Sequence, residues 1–73
     1  MYFSDAEKRI ASAMENNLNY FNIGRRKKLK VVYYVDNGNR ARIIWGDVTI
    51  AADLTPQNAY FFIWGFTSGR ARK

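Results

Sequence analysis

Ile10, Ala13, Met14, Leu18 and Phe21 recur at helical spacing and make one apolar stripe. Ser4 followed by Glu7 has the spacing of a capping box, in which the Ser hydroxyl accepts from the N3 amide while the Glu carboxylate accepts from the cap amide. Asp5 and Glu7 suit the positive end of the helix dipole. The Asn-rich stretch from Asn16 to Asn22 and then Gly24 end the pattern, so one helix is predicted over about residues 5 to 20.

After a polar linker the pattern changes. Leu29 to Val35 is rich in β-branched and aromatic residues, and Asp36-Asn37-Gly38-Asn39 follows it. Asn-Gly between apolar runs signals a hairpin whose two central residues take positive φ. A two-residue turn there sets Val35 opposite Arg40, Tyr33 opposite Arg42 and Val31 opposite Ile44. On the other face it pairs Tyr34 with Ala41, Val32 with Ile43 and Lys30 with Trp45. That second face is the more continuously apolar and is expected to pack on the helix. Tyr33, Arg40 and Arg42 then share the solvent face.

Gly46 marks a bulge or bend, and Val48 to Ala52 continues extended. Asp53 to Asn58 reads as a loop. Tyr60 to Phe66 reads as a last strand, apolar on both faces and therefore central or covered. The predicted fold is α+β, one N-terminal helix on an antiparallel sheet of three to four strands. Residues 1–66 form the single domain and residues 67–73 a basic, disordered tail.

Composition sharpens this picture mainly by exclusion. With neither cysteine nor histidine among 73 residues, disulfides and the common zinc sites are unavailable, and so are the commonest general base and the most reactive nucleophile. Asp36, Asp47 and Asp53 could in principle supply a carboxylate pair, but Asp36 is explained by its turn and Asp53 by a loop. No glycine-rich loop precedes a helix. No enzyme activity and no cofactor are expected. Charged residues in the first fifteen positions exclude a signal peptide, and the longest apolar run, Ala59 to Phe66, is too short to span a bilayer. A cytoplasmic monomer that does not enter membranes is the expectation.

The net charge of +6 points to a polyanionic partner. Arg25, Arg26, Lys27 and Lys28 form a run that Lys30 extends. Arg40 and Arg42 add two cations on the hairpin, and Arg70, Arg72 and Lys73 add three at the end. Converging, these would make one electropositive surface for DNA or RNA phosphates, with Tyr33 as a stacking platform or a cation–π partner for Arg42. The competing reading of the basic run is a solvated gatekeeper beside a strand edge. Four adjacent cations repel one another, which solubility alone does not require. Trp45, Phe61, Phe62, Trp64 and Phe66 are assigned to the core, and any aromatic left exposed would mark a protein contact.

A capped N-terminal helix, a small antiparallel sheet, the basic linker Arg25 to Lys30 and the absence of Cys and His together resemble, in size and style, the short regulators that lytic phages encode against host transcription. The resemblance implies a partner, bacterial RNA polymerase, with promoter initiation blocked and terminator read-through promoted. It carries no binding residue over to this chain. A stand-alone, sequence-nonspecific DNA- or RNA-binding domain is the alternative, and a virion or ribosome-associated protein a third reading.

Overall fold

The computed structural model describes residues 2–71, the last two by backbone alone. The fold is α+β. Helix α1 (Asp5–Phe21) is followed by strands β1 (Leu29–Val35), β2 (Asn39–Trp45) and β3 (Val48–Leu54), and then by helix α2 (Pro56–Ala71). The strands form an antiparallel meander in the order β1-β2-β3, and both helices lie on one face of it.

Helix α1 begins as its sequence dictates. Ser4 Oγ accepts from the Glu7 amide at 3.2 Å, and the Ser4 amide donates to Glu7 Oε1 at 2.9 Å. Its inward stripe buries Met14 and Phe21, with Ile10 and Leu18 packed beside them.

The β1–β2 hairpin differs from expectation by one residue. Asn37 and Gly38 take the positive φ values that the turn requires, 60° and 105°. The closing pair, however, is Val35 with Asn39, so the loop has three residues rather than two. Because side chains alternate with a period of two, this slip turns β1 over relative to β2. Leu29, Val31 and Tyr33 face the helices together with Ala41, Ile43 and Trp45, while Lys30, Val32 and Tyr34 face outward with Arg40 and Arg42. Tyr33 is therefore not on the solvent face: its ring meets Phe3 edge-on at 5.1 Å. Lys30 carried the clue. The expected register put its ammonium on the core face opposite Trp45, where the observed one puts Leu29, 1% exposed.

Gly46 and Asp47 form a two-residue turn between β2 and β3 instead of a bulge within one strand, since Trp45 pairs with Val48. The larger correction concerns residues 56–71, a helix where a loop, a final strand and a disordered tail were expected. Thr55 and Pro56 start it. Thr55 Oγ1 accepts from the Asn58 amide at 3.2 Å, and Pro56 occupies the first position, where a missing N–H costs nothing. An all-round apolar run has no period of its own, and here Ala59, Ile63 and Thr67 are buried at spacings of four. The buried Thr67 hydroxyl donates to the Ile63 carbonyl at 2.8 Å. The fold thus has no fourth strand, and the expected boundary at residue 67 lies inside a helix.

The three layers of contact meet at aromatic rings. Phe21 of α1, Trp45 of β2 and Phe66 of α2 form a triangle with centroid separations of 5.9, 6.1 and 5.3 Å. Such edge-on and tilted pairs add about 0.5–1.5 kcal/mol each beyond the area they bury. Trp45 and Phe66 are thus packed as expected, whereas Phe61 and Trp64 are exposed by 59% and 55%.

Candidate nucleic-acid interface

Both helices occupy the inner face of the sheet, and none of the described residues covers the outer one. Alternation along the strands populates that face: Lys30, Val32 and Tyr34 from β1, and Arg40, Arg42 and Ile44 from β2. Arg40 stands directly opposite Tyr34, and Arg42 lies diagonally to it with its guanidinium carbon 5.3 Å from the ring centroid. That cation–π contact, at a half-exposed ring, is worth about 0.5–1 kcal/mol and holds the arginine over the aromatic surface. Arg40 is braced by Asp53 at 3.6 Å and by the Asn37 carbonyl at 3.4 Å. An ion pair as exposed as Arg40–Asp53 contributes little to stability and is readily exchanged for a phosphate.

The loop between α1 and β1 is put to different use. Helix α1 has no basic residue in its last turn, and the loop supplies what is missing. Arg25 Nε donates to the Phe21 carbonyl at 2.8 Å, with its guanidinium carbon 3.9 Å from the Phe21 ring centroid. Lys28 Nζ donates to the Asn22 carbonyl at 2.8 Å. Both cations sit at the negative end of the helix dipole and satisfy carbonyls that the helix leaves open. Asn22, the C-cap, completes the junction: its amide donates to the Leu29 carbonyl at 2.9 Å and its carbonyl oxygen accepts from the Leu29 amide at 2.8 Å. This side chain pairs with β1 as a strand would. Lys27 lays its stem against Gly46, with Nζ 5.5 Å from the Trp45 ring centroid.

Of the ten residues picked from the sequence, the structure therefore assembles Lys30, Arg40 and Arg42 on one face. It brings Arg25, Lys27 and Lys28 to the end of α1 and to Trp45, and leaves Arg26 exposed in the loop. Tyr33 faces inward, and Tyr34, which sequence reasoning assigned to the core face, takes the outward place. The signal for Tyr34 was available in the burial cost of Lys30, two pleats away on the same face. Arg70 falls in the last turn of α2, where only the backbone is described, and Arg72 lies outside the described residues.

Two titrating groups register their surroundings. Burial raises the Tyr33 phenol above its ordinary value, with the negative charge of Glu15 adding to it. The Ser4 backbone hydrogen bond lowers the Glu7 carboxyl, with smaller help from the Asn39 and Ser4 side chains. Neither lies on the outer face. Among the described residues no cluster of His, Cys, Asp or Glu could hold a metal ion, and no helix is long and apolar enough to cross a membrane. Comparison with family models, with curated proteins and with solved structures finds no match for the chain.

Proposed function

We propose that this protein binds nucleic acid without sequence preference through the outer face of its sheet. One observation carries the reading: Lys30, Arg40 and Arg42 share an uncovered strand surface with the Tyr34 ring. Cations two residues apart along a strand suit successive phosphates, and a ring between them gives a base a flat surface on which to stack. Phosphate contacts of this type position the ligand without reading its sequence. The open, shallow shape favours a single strand, whose bases are free to stack.

Fluorescence anisotropy of a labelled oligo-thymidine tests this across a range of salt. Three phosphate contacts on a single strand predict that log affinity falls by about two per log unit of salt. A flat salt dependence removes the proposal.

A second reading, regulation of bacterial RNA polymerase, draws on a different observation. Tyr20, Ile23, Phe61 and Trp64 are exposed on the helical layer, away from the cationic sheet face. Exposed aromatics of this kind anchor protein partners. Gel filtration of the chain with purified polymerase, free of nucleic acid, tests this reading, and failure to comigrate at moderate salt rejects it.

A further inference from the structure

A groove of about 710 Å³ runs between the C-terminal end of α1 and the exposed side of α2. Its walls include Tyr20, Ile23, Tyr60 and Trp64, and its one charged residue is Arg25. Tyr20, Ile23 and Trp64 are exposed by 81%, 73% and 55%, an unusual outlay of large apolar surface on a chain with so small a core. Tyr, Trp and Arg are the side chains that most often dominate protein–protein binding energy.

Arg25 decides what the groove can accept. Its guanidinium lies over the Phe21 ring, and Nε is committed to the Phe21 carbonyl. The fork is thereby fixed before any ligand arrives, and no carboxylate is among the residues lining the groove. A planar guanidinium held in place beside aromatic walls is preorganised for a carboxylate, because little side-chain freedom remains to be lost on pairing. A second copy of the chain is a poor occupant, since each copy carries a net charge of +6.

We infer that this groove docks a short segment of a partner protein in which bulky apolar side chains are flanked by carboxylates. The apolar side chains enter between Tyr20, Tyr60 and Trp64, and a carboxylate meets Arg25. The outer sheet face is on the other layer of the molecule, so this site is independent of nucleic-acid binding and stands whether or not that proposal holds.

NMR titration of the labelled full-length chain tests it, using three acetylated and amidated peptides: Glu-Phe-Glu-Leu-Phe and its Gln and Lys counterparts. The expected result is that the acidic peptide shifts the Trp64 indole and Tyr20 amide resonances. The Gln peptide should bind about tenfold more weakly, the size of one charge-assisted hydrogen bond, and the Lys peptide more weakly still. Trp64→Ala, a change at an exposed position that leaves the rest of the spectrum in place, should cost at least about tenfold in affinity. Arg25→Gln should abolish the preference for the acidic peptide. Equal binding of the acidic and Lys peptides overturns the inference, as does the absence of shifts at millimolar peptide. Shifts confined to Tyr34 and Arg42 overturn it too. Groove resonances that move with the concentration of the free protein would assign the surface to a second copy and overturn it equally.

Discussion

Two groups of cations lie almost side by side in this chain, and they do opposite things. Arg25 and Lys28 turn back onto the last carbonyls of α1, and Lys27 turns onto Trp45. Lys30, two residues beyond Lys28, begins the outer face that Arg40 and Arg42 complete. The first group neutralises a helix end that has no cation of its own. The second faces solvent on a pleated surface with an aromatic ring in its midst. Charge density along the sequence does not distinguish them. What distinguishes them is whether an unsatisfied carbonyl lies within reach, because a cation that already donates to one has less to offer a phosphate.

The comparison is broken most decisively at the sheet. Replacing Lys30, Arg40 and Arg42 together by Ser should lower affinity for oligo-thymidine by about 100-fold near 0.1 M salt and remove the salt dependence, given three single-strand phosphate contacts. All three side chains stand on the outer face, so the urea midpoint should barely move. Retention of affinity in this variant would mean that the ligand sits elsewhere.

Next in size is the junction that holds the loop cations in place. Asn22→Ala removes both hydrogen bonds to Leu29 and leaves that residue's amide and carbonyl unpaired at the edge of the core. About 2 kcal/mol of stability should be lost, read from urea unfolding. Asn22→Asp keeps one acceptor and loses the donor, and it should fall between. A loss below about 0.5 kcal/mol for Asn22→Ala would show that solvent satisfies Leu29 as well as Asn22 does.

Arg25→Gln with Lys28→Gln sharpens the contrast directly. Losing the dipole and carbonyl contacts should cost about 1 kcal/mol of stability, with oligo-thymidine affinity changing by less than about a factor of two. A loss of affinity matching that of the sheet variant would merge the two groups into one surface and end the distinction drawn here.

What was legible in the chain follows from how local each determinant is. Ser4 and Glu7 satisfy one another across a single turn, so the start of α1 could be read directly. Asn37 and Gly38 announced their positive φ, and the alternation of Arg40 and Arg42 with Ala41 and Ile43 fixed which side of β2 is buried. The face of β1 was not legible from periodicity, because Leu29 to Val35 has large apolar side chains on both sides and the register depends on one residue of loop length. Residues 59–66 were ambiguous for the same reason: rings all round carry no period, and only the Thr55-Pro56 start and the spacing of Ala59, Ile63 and Thr67 separate helix from strand. The capping role of Arg25 and Lys28 depends on where the loop folds back, which no local pattern states. The candidate site was accordingly half legible: Lys30, Arg40 and Arg42 belong to it, and its aromatic partner is Tyr34 rather than Tyr33.

The two ends of α1 offer the finest test of the contrast. At the C-terminal end the helix is held by Arg25 and Lys28, whose charges do not change in mild acid. At the N-terminal end it is held by Glu7, which accepts from the Ser4 amide and, at 3.1 Å, from the Asn39 side chain of the hairpin. These bonds favour the ionised carboxylate and lower its pKa below the ordinary 4.5. A depressed carboxylate contributes stability that is present above its unfolded pKa and is lost as pH falls through its folded one. Acid should therefore loosen the N-terminal end of α1 while the cations at its C-terminal end hold. In urea titrations from neutral pH downward, Glu7→Gln should be slightly less stable than the parent above pH 4.5, and the two should converge below it. Hydrogen exchange at acid pH should speed up at the Ser4 and Glu7 amides before it does at Asn22. Should Asn22 exchange first, the cations at the C-terminal end would be bystanders, and the loop would rejoin the sheet face as a candidate phosphate contact.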